Sequence, residues 1–219
     1  MVPACQGPVT VGPVQTNTLR RREYAVRRKI HATTVVRTTV TDPALHPLLS
    51  SRFSPLQFDP AYLIDERRVE LLLEAARWAP SAGNSQPWAF FTARRETTAH
   101  ERVVPYLARS SARWAPQASL LVVAMAHRSI ADTDWSYSEF ADYDLGQAVA
   151  HLTFQAHAMG FACRQFRAFD LDALTSELHP APGWEIVSMV AVGRPTATGS
   201  PERERRSITD LRTAPWSNS

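Results

Sequence analysis

The sequence predicts a mixed α and β domain, an α+β or α/β sandwich, and three observations lead there. Two stretches, 65–79 and 142–160, repeat apolar residues at helical spacing. Three short apolar runs, 88–92, 120–126 and 185–192, have the length and composition of strands. The two kinds alternate along the chain and are followed by a polar tail. With 219 residues, 44% hydrophobic and 21% charged, the chain has the composition of a soluble globular protein with one sizeable core.

Taken in order, residues 42–49 suit a short helix interrupted by Pro43 and Pro47. Residues 65–79 make a better one. Asp65 can cap it, Val69, Leu72, Leu73 and Ala76 fall on one face, and Pro80 stops it. The aromatic run at 88–92 reads as a strand, and LLVVAMA at 120–126 as a strand covered on both faces. DYDLGQAVAHLTFQAHAMG at 142–160 is the strongest helix. Its Leu145, Val149, Leu152, Ala156 and Met159 are spaced four and three apart, and Gly160 is placed to end it. CRQFRAFD at 163–170 follows as a strand or loop. EIVSMVAV at 185–192 is a further buried strand, closed by Gly193 and Pro195.

Charge separates residues 1–41 from the rest. The chain carries 24 basic and 21 acidic residues, a net of +3. Seven basic side chains (Arg20, Arg21, Arg22, Arg27, Arg28, Lys29, Arg37) and one acid, Glu23, lie in the first 41 residues, leaving 17 basic and 20 acidic beyond them. The basic character belongs to the leader, and the remainder has no footprint for nucleic acid. The leader has no apolar core behind a basic end, as a secretory signal requires. It is Arg-rich and acid-poor like a transit peptide but contains no Ser. It is expected to be a disordered extension, with a translation start near Val35 or Val40 as the alternative. Residues 42–219 form the expected folded domain. Two cysteines, Cys5 and Cys163, without CxxC spacing, argue against a disulfide framework or zinc cluster and suit a cytoplasmic protein. No apolar run approaches the roughly 20 residues needed to cross a bilayer.

The stretch EAARWAPSAGNSQPWAFF turns from helix to strand through a loop of small and amide side chains. Ser, Gly, Asn and Pro are ordinary turn residues. Asn84 and Gln86, two apart, also suit a planar partner with donors and acceptors on its edge. In SRFSPLQFDP, residues 51–60, Arg52 and Ser54 face the same side of an extended segment and can grip one anion; a solvated Arg beside a turn Ser is the alternative. Arg203, Arg205 and Arg206 in the tail can complete a phosphate site, or form a charged run balanced by Glu202 and Glu204. His151 and His157 are six apart, do not share a helix face, and make no metal pair. Nothing in the sequence depresses the pKa of Cys163. GxGxxG and GxxxxGK[ST] are absent. Phosphate grips and an amide loop without an evident acid, base or nucleophile suit an enzyme whose chemistry is a cofactor's. No catalytic side chain is assigned.

The run LLLEAARWAPSAGNSQPWAFF, preceded by HPLLSSRFSPLQFD and followed by YDLGQAVAHLTFQAHAMGF and VAVGRP, resembles the FMN-dependent nitroreductase family over residues 42–211. The resemblance implies a three-layer α+β sandwich with a mainly antiparallel central sheet, assembled as an intertwined homodimer with two FMN molecules at the interface. It implies hydride transfer from NADH or NADPH to FMN, and then to a nitroaromatic, quinone or similar small acceptor in a ping-pong cycle. On the matching positions, Arg52, Phe53 and Ser54 belong to the motif for the FMN phosphate and ribityl chain. Asn84 and Gln86 belong to the loop at the flavin ring, and Arg206 with Arg205 to the C-terminal phosphate contact. Residues 167–170 match the loop whose backbone approaches flavin N5.

Two positions depart from the pattern. Leu56 replaces a cation near the flavin N1–C2=O edge, and Ala168 replaces a glycine in the N5 loop. The first implies a lower flavin potential. The second implies a methyl group that restricts substrate approach or disfavours a positive φ. These departures raise two alternatives: an FMN-dependent oxidase or flavin-modifying enzyme of a biosynthetic pathway, and a flavin-binding module with little turnover. Trp135, Tyr137 and Phe140 in DTDWSYSEF form either a lid or substrate wall, or an ordinary surface loop.

Overall fold

A computed structural model describes residues 44–197 and 204–213. The basic leader, its alternative start sites, Asp42 and Pro43 lie outside the described residues, as does Arg203. Four strands make the sheet: β1 (Trp88–Arg94), β2 (Leu120–His127), β3 (Ala162–Phe166) and β4 (Trp184–Gly193). They lie in the order β1-β2-β4-β3, every neighbouring pair antiparallel. The helices are α1 (Pro47–Ser50), α2 (Glu66–Arg77), α3 (Thr98–Val103), α4 (Ala141–Ala158), α5 (Leu171–Leu178) and α6 (Ile208–Thr213).

Alternation along β2 sorts the core into two halves. Leu120, Val122, Ala124 and Ala126 pack with Val190, Val192 and the buried sides of α2 and α4. Leu121 and Val123 point the other way, into a cluster with Met189 and Ala191 of β4, Val103 of α3, Ala115 between α3 and β2, Leu174 of α5, and Phe58 and Phe169 from the segments before α2 and α5. The sheet is therefore covered on both faces, and the fold is three layers deep. The unbroken apolar run at 120–126 follows directly from that. Between Ala124 and Met125 the pairing with β4 slips: Ala124 faces Ser188 and Met125 faces Ile186, leaving Val187 as an extra residue. This bulge puts Ile186 in the second half of the core, while Val187 packs against the first.

The helices show their signals. Asp65 caps α2 by accepting from the Arg68 N–H at 2.8 Å, and Val69, Leu72 and Ala76 are its buried face. Gly160, with φ of 80°, ends α4. Gly160 N–H donates to the His157 carbonyl and Phe161 N–H to the Ala156 carbonyl, the paired bonds of a left-handed helix stop.

Several expectations need correction. The helix expected over 42–49 is a single turn beginning at Pro47, because that proline is accepted at a first helical position and not inside. The helix expected over 65–79 stops two residues early, with Trp78 as its C-terminal cap. The strand at 88–92 runs on to Arg94. Helices α3 and α5 are unexpected, as is the short α6 within the expected tail, although Asp170 accepts from the Ala173 N–H at 3.1 Å as an ordinary N-cap for α5.

Candidate functional site

The turn joining α2 to β1 has unusual backbone geometry. Gly83, Asn84 and Gln86 all adopt left-handed conformations, with φ of 57°, 58° and 48°. Asn tolerates this region and Gln does so at a cost of about 1–2 kcal/mol. Inside the turn, Gln86 N–H donates to Ser81 Oγ at 3.0 Å, and the Gln86 side chain donates to the Asn84 carbonyl at 3.3 Å. The side chains of Asn84 and Gln86 are exposed. The intervening Ser85 Oγ is buried and finds no hydrogen-bond partner among the described residues. Strained backbone, exposed amides and an orphaned buried hydroxyl together mark a surface built for a polar, hydrogen-bonding partner.

A second surface lies along residues 53–57. Phe53, Ser54, Pro55, Leu56 and Gln57, with Thr196 and Ala197, line a groove of about 430 Å³. The segment is anchored where Phe58 bridges Pro195, Asp59 N–H donates to the Arg194 carbonyl at 2.8 Å, and Thr196 N–H donates to the Gln57 carbonyl at 3.3 Å. Phe58 is fully buried and fixes the end of the segment nearest α2. Leu56 is 77% exposed. Arg164, on β3, donates to the Pro55 carbonyl at 3.4 Å and lies over the Trp114 ring at 4.1 Å. Arg52 is half-buried. Burial pushes the Cys163 thiol up to about 12, against a Thr153 hydrogen bond and the charge of Arg52. Cys163 is thus a core side chain.

The loop after β3 is held by its backbone. The Ala168 carbonyl accepts from the Ala108 N–H at 3.1 Å and from Ser111 Oγ, and Asp170 N–H donates to the Tyr106 carbonyl at 2.8 Å. Ala168 is not among the described residues with positive φ, so its methyl group carries no backbone strain. That part of the expectation about Ala168 is withdrawn. Arg205 donates to the Glu204 carbonyl at 2.8 Å and Arg206 to the Asp210 carbonyl at 3.1 Å, both bonds inside the exposed tail. The described contacts do not bring these two arginines to Arg52 and Ser54.

Sequence reading missed what holds the amide turn. Asp144, only 2% exposed in the first turn of α4, accepts from the Ala82 N–H at 3.0 Å. Tyr137 Oη donates to the Ser85 carbonyl at 3.2 Å. The Tyr137 ring stacks on His127 at 3.9 Å, and His127 stacks on Trp184 at 4.7 Å. Gly183 makes that stack possible: a Cβ there would lie 2.2 Å from the Ser129 carbonyl oxygen. Arg128 adds an ionic tie, reaching Asp142 at 2.8 Å and Glu185 at 2.6 Å. An acid in the first turn of a helix reads as dipole complementarity, and nothing in the sequence shows a loop 62 residues away. Trp135, by contrast, is 75% exposed. The described residues contain no group of three or more His, Cys, Asp or Glu suited to a metal, and no helix long and apolar enough to cross a membrane.

The fold and this turn define the class: an α+β protein with a helix-covered antiparallel sheet and a strained amide turn leading into its edge strand β1. The Nitroreductase family model matches residues 49–194, and the chain belongs to that family. Among solved structures, it is similar to an oxidoreductase containing FMN, at 28% identity over 71% of this chain and 79% of the other, with a TM-score of 0.66. Two more distant likenesses support the fold. One is a nitroreductase family protein from Clostridium difficile 630 (18% identity, 80% and 99% of the two chains, TM-score 0.65). The other is CLA-ER, an enone reductase of gut-bacterial fatty acid saturation metabolism (18%, 78% and 97%, TM-score 0.66).

Proposed function

We propose that the chain is an FMN-dependent oxidoreductase that works as a homodimer, takes hydride from NADH or NADPH, and reduces a nitroaromatic, quinone or similar small acceptor by a ping-pong mechanism. The observation that carries this reading is the turn at 83–86, which spends backbone strain to present two neutral amides. The residues fit a flavin. Asn84 and Gln86 can each donate to a ring carbonyl and accept from a ring N–H, as a pyrimidine edge requires. Ser85 Oγ retains an unused donor. Arg52 and Ser54 would grip the phosphate and ribityl chain, with Phe53 and Leu56 along the groove and the backbone at Ala168 near the reacting edge. Arg205 and Arg206 would join the phosphate once the tail folds over it.

Bound FMN would supply the hydride-accepting centre. The chain's own part is to orient the ring, neutralise the phosphate and exclude water, with no side chain acting as nucleophile. Exposed Trp78, Leu45, Leu49, Ile208 and Leu211 are apolar surface that a second copy would cover. The test is the visible spectrum of the purified protein before and after anaerobic NADPH. A flavin spectrum that bleaches supports the reading; protein that is colourless and takes up no added FMN defeats it.

Leu56 favours one variant of this reading, in which reduced flavin passes electrons to oxygen in a biosynthetic oxidation. An exposed aliphatic side chain on the groove wall leaves negative charge on reduced flavin less stabilised than a cation would. Stopped-flow reoxidation in air separates the two: rapid decay of reduced flavin supports the oxidase, slow decay the reductase.

A further inference from the structure

We propose that Asp144 and Tyr137 are positioning residues that clamp the amide turn at its entry and at its middle and hold it ready for the flavin. The inference rests on the flavin reading above. Three of the four residues 83–86 occupy a backbone region that only glycine enters freely. Bonds inside the turn run from Ser85 N–H to the Ala82 carbonyl and from Gln86 N–H to Ser81 Oγ, both at 3.0 Å. Neither fixes the turn against the body of the protein. Two outside contacts do. The Asp144 carboxylate takes the Ala82 N–H at the entry, and Tyr137 Oη takes the Ser85 carbonyl between the two amide residues.

Both clamps are themselves immobilised. Asp144 is buried on α4, and its other oxygen accepts from the Gln147 side chain at 3.4 Å. Tyr137 is stacked on His127 at an interplanar angle of 27°, and His127 on Trp184 at 9°. The hydroxyl is thereby aimed by the ends of β2 and β4. A carboxylate that only complemented the α4 dipole could stay solvated at the helix end; Asp144 is buried, and the donor that satisfies it is the backbone of the turn. A tyrosine that only packed would not need its hydroxyl there.

The test is titration of flavin-free protein with FMN, comparing wild type with Tyr137→Phe, Asp144→Ala and Asp144→Asn. Tyr137→Phe keeps the stack and is expected to weaken FMN binding about 3- to 10-fold, with an unchanged melting temperature. Asp144→Ala removes a charged acceptor and is expected to weaken it about 10- to 100-fold. Asp144→Asn retains an oxygen for the Ala82 N–H and is expected to rescue most of that loss. FMN affinity within twofold of wild type in both Tyr137→Phe and Asp144→Ala overturns the proposal. If wild type itself takes up no FMN, the functional reading fails. The clamp is then judged by amide hydrogen exchange of the flavin-free protein. Faster exchange across 81–88 in both variants, with β2 unaffected, supports it; unchanged exchange overturns it.

Discussion

Leu56 is the residue whose chemistry most separates this chain from the pattern it resembles. If the flavin edge lies against the groove wall, replacing Leu56 with Arg puts a positive charge where the reduced cofactor is negative. The expected result is a rise of about 20–45 mV in the two-electron potential of bound flavin, equivalent to about 1–2 kcal/mol. Spectroelectrochemistry of the variant checks it, and an unmoved potential removes Leu56 from the site. Cys163 is the opposite case, a reactive residue type made inert. With the thiol pushed up to about 12 by burial, it stays protonated near neutral pH. Peptide mapping after iodoacetamide treatment of the native protein is expected to find Cys163 unmodified and to find it alkylated after denaturation. At this scale the sequence pointed to the amide turn and hid what supports it. The turn at 83–86 was legible because small and amide residues interrupt two apolar elements there, and its left-handed backbone agrees. Asp144 and Tyr137 were not, because their value lies in contacts spanning 62 and 52 positions.

Among the elements, α3 and α5 are joined by a polar knot. Arg102 donates to Glu177 Oε1 at 2.6 Å and Tyr106 Oη to Glu177 Oε2 at 3.1 Å. These two hydrogen bonds, Arg102 first, hold the Glu177 carboxyl below the ordinary carboxylate range. A carboxyl with a depressed folded pKa adds stability that is complete above its unfolded value and disappears as the pH falls through the folded one. Wild type is therefore expected to lose more melting temperature between pH 5 and pH 3 than Glu177→Gln does, and parallel melting curves checks the sign. Gly183 makes a second prediction. Because its Cβ position is filled by the Ser129 carbonyl and the His127 ring, Gly183→Ala is expected to unstack Trp184 from His127, seen as altered near-ultraviolet circular dichroism. The long elements were readable because their periodicity spans two turns or more. Helix α3, with six residues, offers too few repeats for a period to emerge, and α5 was overlooked despite its Asp170 cap.

For the molecule as described, both sheet faces are spent on the core, and the exposed large apolar side chains among the described residues sit on helices and loops. Trp78 is 72% exposed at the end of α2, beside the α1–α4 groove lined by Leu48, His151 and Phe154. A homodimer is expected in solution, with a sedimentation mass about twice the chain's 24.4 kDa. A single-chain mass would leave that apolar surface without an occupant and would remove the shared flavin sites from the proposal. The layered architecture was visible in the order of periodic segments. The pairing order of the strands was not, because antiparallel neighbours are chosen by three-dimensional packing that alternation alone does not specify.

The bulge in β4 makes one position of that strand expendable. Because Ser188 and Ile186 face consecutive residues of β2, Val187 can be removed without moving any other side chain to the opposite face. Deleting Val190 instead would turn every residue on one side of the gap outside in. The chain thus has a spare tooth at 187, where its length can change by one while its meaning does not. A protein lacking Val187 is expected to fold, and one lacking Val190 is not.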